Sequence, residues 1–204
     1  MSYPCFRCII FKMTEIELKA RIFDVPLLQS VLNVRGDFVG HFVRCDSYYR
    51  KHSSDGYPLR FREEDGPKGK RIFLTFKKKS VFVDENGVAS EKNEEKESEI
   101  SENAKNILES FFESEKIALY VQKEKIVDAW KCRSGEFAVT AELCEVKDVG
   151  FFIELEILLE QSAEKNVCEK ARQALLSLLD SLGVSRDAVE EKSYSQLLKE
   201  VRGL

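Results

Sequence analysis

The chain has 204 residues, of which 43% are hydrophobic and 33% charged, a composition that suits one domain with a core of its own. A net charge of −4 excludes nucleic-acid recognition through a broad basic surface, while leaving room for a local basic cavity. No apolar run approaches the length needed to cross a bilayer, so the expected location is the cytoplasm, with neither a membrane nor a nucleic acid as partner.

Residues 1–12, MSYPCFRCIIFK, hold too short an apolar stretch for a signal peptide and no small-residue cleavage site. They read as an N-terminal extension, with the domain spanning 13–204 and Met13 serving equally well as a start. Cys5 and Cys8 form a C-x-x-C, but zinc would need a second ligand pair and a redox motif a βαβ setting. The other cysteines are widely scattered, as expected of thiols in a reducing compartment, and Cys45, Cys132 and Cys168 read as core filling.

The first strand signal is EIELKAR. Side chains alternate along a strand, so Glu15, Glu17 and Lys19 share one face and Ile16, Leu18 and Ala20 the other. Asp24 then caps a helix from about Val25 to Gly36, with Pro26 in its first turn and Leu27, Leu28, Val31 and Leu32 on one side. His41 and His52 flank DSYY and read as surface or structural residues. In YPLRFRE, Leu59 and Phe61 alternate with Arg60 and Arg62; in RIFLTFKKK, Leu74 and Phe76 alternate with Thr75, Lys77 and Lys79.

The stretch from Asp84 to Glu102 is acidic and nearly free of apolar residues. It reads as a solvated loop or as a strand with Glu95, Glu97 and Glu99 on one polar face. A short helix follows Ser101. ALYVQKEK puts Lys123 and Lys125 in phase with Leu119 and Val121, and FFIELEIL sets Glu154 and Glu156 opposite Ile153, Leu155 and Ile157. Trp130, Phe151 and Phe152 read as packing groups. An amphipathic helix from Ser162 to Gly183 carries Val167, Ala171, Leu175, Leu178 and Leu182, and a last helix begins after Ser193.

Any one of these strands could simply show its polar face to water. Together they segregate, with acids on the first and late strands and bases on the middle ones, whereas a solvated sheet face normally mixes signs. Carboxylates at i and i+2 lie about 6 to 7 Å apart and repel by about 2 to 3 kcal/mol at an effective dielectric near 20. Enclosed, such pairs require cations, either facing Lys and Arg or a divalent metal. Hard oxygen ligands favour Mg²⁺ or Mn²⁺. A barrel lumen of this kind suits a compact polyanion such as a polyphosphate. The chain has no GxxxxGK[ST] loop, so side chains would have to grip the phosphates.

These residues resemble the CYTH superfamily, the triphosphate tunnel metalloenzymes, which include class IV adenylyl cyclases and thiamine triphosphatases. ExExK at Glu15, Glu17 and Lys19 is followed in order by DSYY at 46–49, LRFR at 59–62, LTFK at 74–77, KxK at 123–125 and VGFFIELE at 149–156. SYSQLL at 193–198 is similar to a closing motif of the cyclase-like branch. The resemblance implies a mainly-β, α+β fold, an eight-stranded antiparallel closed barrel forming a charged tunnel with peripheral helices. It implies metal binding by Glu15, Glu17, Glu154 and Glu156, and a triphosphate grip from Lys19, Arg60, Arg62, Lys77, Lys123 and Lys125. Tyr48 and Lys77 match residues that assist catalysis in the thiamine triphosphatase branch.

Two departures stand out. Cys144 occupies the place of a family Asp, and Glu142, two residues earlier on the same face, is its candidate replacement as a metal ligand. NEEKESEI matches the family's R-x-E-x-E strand only loosely. The expected activity is that of a Mg²⁺- or Mn²⁺-dependent enzyme acting on a triphosphate (ATP, tripolyphosphate or thiamine triphosphate). Chain length and SYSQLL tilt this toward an ATP cyclase, with triphosphate hydrolysis as the alternative. A non-catalytic polyphosphate or nucleotide sensor, an interaction module using the acidic segment, and a homodimer stay open.

Overall fold

The computed structural model describes residues 13–51, 59–83, 89–160 and 163–203, with the side chains of residues 13, 51, 77–83 and 89–95 outside that description. Cys5, Cys8 and His52 lie outside the described residues, as does the side chain of Lys77. Among the described residues eight strands form: β1 (Met13–Ile22), β2 (Asp37–Lys51), β3 (Leu59–Gly66), β4 (Gly69–Val83), β5 (Ala89–Ile100), β6 (Ile117–Ser134), β7 (Phe137–Val146) and β8 (Gly150–Glu160). They pair antiparallel in the order β1-β5-β4-β3-β2-β6-β7-β8, and β1 bonds to β8 as well as to β5, so the pairing runs round a ring. Four α-helices among the described residues lie at the periphery: α1 (Val25–Arg35), α2 (Glu102–Ser114), α3 (Lys165–Ser181) and α4 (Tyr194–Arg202). The expected mainly-β class with peripheral helices holds.

The usual polarity of a globular domain is inverted here. The outward faces of β1, β7 and β8, carrying residues such as Leu18, Ala141 and Leu155, are apolar and buried beneath Leu175, Leu176 and Leu179 of α3 and Leu28 and Leu32 of α1. Each such fully buried leucine contributes about 2 kcal/mol. Trp130 is buried in this layer and donates its indole N–H to Asn33 Oδ1 at 3.0 Å, tying α1 to β6. On the opposite side, Phe112 of α2 stacks on Phe61 with ring centroids 5.7 Å apart. The charged alternate residues therefore point inward.

Local chemistry sets the helix ends. The Asp24 carboxylate accepts from the Leu27 amide at 3.0 Å, and α1 stops at Gly36. Ser101 caps α2 and accepts from the Ala104 amide. Ser193 and Gln196 form a reciprocal capping box at the start of α4.

The structure corrects several details. Leu27 is 59% exposed and Leu119 48% exposed, so neither joins the stripe or phase read for it. Phe151 is exposed at 38%, while Phe152 is buried. The third helix starts at Lys165, with Glu164 as its cap, and not at Ser162. Of the two readings of the acidic segment, the strand is the one that forms over Ala89–Ile100. Backbone pairing to β4 and β1 on both sides overrides its composition, and Glu99 pairs with Arg71 at 2.6 Å. No helix among the described residues is long and apolar enough to cross a membrane.

Candidate active site on the inner face

Strand register decides which charges meet. Across β1 and β8, Glu17 stands opposite Glu156 and Lys19 opposite Glu154. Across β7 and β8, Glu142 stands opposite Glu154. Around β2, Asp46 is flanked by Arg62 of β3 and Lys123 of β6, and Arg44 by Glu64 and Lys125. The period of two places these side chains on one inner surface, where Glu15, Lys19, Arg44, Asp46, Arg60, Lys123 and Lys125 are all buried.

Three clusters result. In the first, Asp46 is fully buried, takes a two-pronged bond from Arg62 at 2.7 and 3.0 Å, and pairs with Lys123 at 2.9 Å. Burial alone would raise its carboxyl, but Arg62 and Lys123 outweigh burial and hold it well below the usual carboxylate range. The Tyr48 hydroxyl donates to the same carboxylate at 3.4 Å. Nearby, Arg60 donates to Thr75 Oγ1 at 3.0 Å and to Glu97 at 3.3 Å.

In the second cluster, Lys125 Nζ lies 2.7 Å from Glu154 and 3.3 Å from Glu142. Arg44 bonds both oxygens of Glu142 at 2.9 and 2.8 Å and reaches Glu64 at 2.7 Å. The ligand atoms of Glu142, Cys144 and Glu154 lie within 4.8 Å of one another. Burial and then the charge of Glu154 push the Cys144 thiol well above its ordinary value. Burial also opposes charge on Glu154, yet Lys125 and Lys123 hold that carboxyl far down.

The third cluster gathers carboxyl groups of β1 and β8. Burial, then the charges of Glu15 and Glu17 and a hydrogen bond with Glu15, push Glu156 up to about 9. Three carboxyl groups thus share a buried space that a proton or a cation must neutralise. An all-oxygen donor set fits a hard divalent ion, so Glu15, Glu17 and Glu156 fit Mg²⁺ or Mn²⁺. Around Glu142 and Glu154, Lys125 and Arg44 supply positive charge.

The structure therefore brings together Glu15, Glu17, Glu142, Glu154, Glu156, Lys19, Arg60, Arg62, Lys123, Lys125 and Tyr48 on one surface. Lys77 lies in β4, two residues after Thr75, with its backbone opposite Glu95. Sequence reading missed Arg44 and Asp46, although both alternate in phase with Tyr48 and that phase was the available signal. It also left Tyr194 as part of a motif without a role. His41 is an exposed partner of Asp128 at 2.7 Å. The four described cysteines, Cys45, Cys132, Cys144 and Cys168, are free thiols.

No protein-family model matches the chain. A protein of Methanocaldococcus jannaschii named "Putative adenylate cyclase" is 26% identical over 190 residues, covering 91% of this chain and 98% of its own. A solved structure from Pyrococcus horikoshii aligns with a TM-score of 0.74 at 27% identity, covering 91% of this chain and 98% of that one. A Hippeastrum protein, named as an adenylyl cyclase of the same unproven standing and described as having dominant triphosphatase activity, shares the fold with a TM-score of 0.61 at 16% identity, covering 93% of this chain and 96% of its own. Motif order, strand pairing and relatives agree: along nearly its whole length this chain has the architecture of CYTH-type proteins.

Proposed function

We propose that this protein is a divalent-metal-dependent enzyme that cleaves a triphosphate lying along the charged inner face. One observation carries the reading: a cluster of carboxylates, Glu15, Glu17 and Glu156, and a set of buried Lys and Arg side chains line one surface. A triphosphate complexed with a divalent ion needs both.

When bound at Glu15, Glu17 and Glu156, Mg²⁺ or Mn²⁺ would supply Lewis-acid neutralisation of phosphoryl oxygens. The remaining work falls to side chains of this chain. Arg60 and Arg62 offer planar forks to phosphate oxygens, and Lys19, Lys123 and Lys125 offer point charges in a buried setting where they act strongly. Asp46 fixes Arg62 and Lys123 in place before substrate arrives, so little reorganisation accompanies the reaction. Tyr48, oriented by Asp46, and Lys77 are the candidates for assisting catalysis.

Attack by water on the terminal phosphoryl group gives hydrolysis; attack by the ribose 3′-hydroxyl of ATP on the α-phosphoryl group gives cyclic AMP and pyrophosphate. Hydrolysis is the reading favoured here, since the assembled charges address only the triphosphate. The name of the Methanocaldococcus relative supports cyclisation as a second reading. Purified protein given Mg²⁺ or Mn²⁺ with ATP, tripolyphosphate and thiamine triphosphate in parallel separates them. Hydrolysis predicts free phosphate, and cyclisation predicts cyclic AMP with pyrophosphate from ATP alone. Tight tripolyphosphate binding without turnover under either metal would instead make the protein a sensor.

A further inference from the structure

The chain segment after α3 grips Lys19 twice. The Lys19 carbonyl accepts from the Glu190 amide at 2.8 Å, and the Lys19 ammonium donates to the Lys192 carbonyl at 2.5 Å. Beside it the capping box starts α4 with Tyr194 as its first residue. Leu197 and Tyr194 pack against Val127, Cys144 and Phe152, inner-face residues at this end of the sheet, and Arg202 bonds Asp148 at 2.9 Å and the Gln122 carbonyl at 3.3 Å.

The Tyr194 ring is where the lysines meet. Its centroid lies 4.8 Å from the Lys19 ammonium, 4.8 Å from that of Lys123 and 6.0 Å from that of Lys125. Phe152 holds the ring edge-to-face at 5.1 Å, and the buried Tyr194 hydroxyl faces Glu154. Asp46 holds Lys123, Glu154 and Glu142 hold Lys125, and the Lys192 carbonyl holds Lys19; lysine is a flexible ammonium with many rotamers, and the ring adds one rigid face that all three ammoniums approach. An aromatic face attracts cations through its quadrupole without removing their charge. A carboxylate in that place would add a further competitor to the substrate, whereas a ring constrains the ammoniums without adding one.

We infer that Tyr194 is a positioning residue of the phosphate grip, its ring setting the ammoniums of Lys19, Lys123 and Lys125, so that α4 is part of the site and not merely packing outside it. This rests on the triphosphate reading proposed above. The tyrosine hydroxyl is not required for this role; the aromatic face is.

Three variants and one spectroscopic measurement test it. Tripolyphosphate binding in the presence of Mg²⁺ is measured by calorimetry on the wild type, Tyr194→Phe, Tyr194→Leu and Leu197→Ala. Tyr194→Phe should bind within about 2-fold of wild type, and Tyr194→Leu about 10-fold or more weakly. Leu197→Ala, which loosens α4 but keeps the ring, should stay close to wild type. In protein carrying ¹³C-labelled lysine, the ε-methylene signals of Lys19 and Lys123 should be displaced by the ring in the wild type and in Tyr194→Phe. They should return to ordinary positions in Tyr194→Leu.

Equal binding by Tyr194→Leu, or equal weakening by Leu197→Ala, overturns the inference while leaving the triphosphate reading intact. Undisplaced lysine signals in the wild type also overturn it, even if no variant folds. A wild type that fails to bind tripolyphosphate with either metal refutes the triphosphate reading, and with it the grip that Tyr194 would position.

Discussion

Lys125 and Glu154 form an ion pair at 2.7 Å between β6 and β8, with side-chain exposures of 2% and 13%. Taking both groups out of water costs several kcal/mol per ion, which their attraction offsets only while both are present. Lys125→Met should therefore destabilise the protein by about 3 to 5 kcal/mol, read by urea denaturation at pH 7. Adding Glu154→Gln to that variant should restore at least half of the loss. If Lys125→Met alone costs under about 1 kcal/mol, the pair is far more hydrated than its burial indicates.

Asp46 predicts how the fold responds to acid. Its carboxyl is held below its unfolded value of about 3.9, so its contribution is complete above that value and is lost as pH falls through the lower folded value. Unfolding free energy between about pH 4 and pH 2 should then rise with pH at up to about 1.4 kcal/mol per unit for this one group. Asp46→Asn should flatten that acid limb and cost about 3 kcal/mol at neutral pH, where Arg62 and Lys123 lose their shared partner. Equilibrium denaturation of both proteins across this pH range measures the difference, and identical acid limbs would exclude Asp46 as the source.

Replacing Glu156, which the folded protein keeps protonated at a cost, by a neutral amide should help the metal-free protein. Glu156→Gln relieves its crowding with Glu15 and Glu17 and should raise the metal-free melting temperature by a few degrees, as expected for about 1 kcal/mol. Mn²⁺ should stabilise the wild type through binding to the folded state and stabilise this variant much less. Thermal melts with and without Mn²⁺ provide the comparison. An undiminished Mn²⁺ shift in Glu156→Gln would place the ion elsewhere.

Arg60 offers a more direct handle on substrate. Its own bonds, to Thr75 and Glu97, are ones a phosphate oxygen could replace. Arg60→Ala should weaken tripolyphosphate binding or raise KM by about 10- to 100-fold, as for a lost charge-assisted hydrogen bond. Arg60→Lys should recover only part of this, because the planar fork is missing. Full recovery by lysine would make the site a simple electrostatic sink.

The strands were legible because their period of two carries two signals at once: Glu15 and Glu17 face one way while Ile16 and Leu18 face the other. The sequence also marked the start of α1 through Asp24 and that of α4 through Ser193. Partnership was harder to read, since it depends on register. Nothing local reveals that Asp46 sits between Arg62 and Lys123, or that Lys125 occupies the space between Glu142 and Glu154. Composition left two readings open at Asp84–Glu102, and over Ala89–Ile100 the run of glutamates and lysines forms β5 because two neighbouring strands satisfy its backbone. The use of Tyr194 depends on where α4 docks, a matter of long-range packing that its own helical pattern does not disclose.

The first strand is also the seam of the fold. β1 pairs with β5 and, through Lys19 and Glu154, with β8, and its carbonyl at Lys19 receives the amide of Glu190. During synthesis the early-made strand must therefore wait, with hydrogen-bonding edges unpaired, until the far end of the chain leaves the ribosome. Contacts this distant in sequence slow folding, and open strand edges invite association with other chains. The arrangement that puts Glu17 opposite Glu156 leaves one edge of β1 open in the nascent chain until β8 has been made.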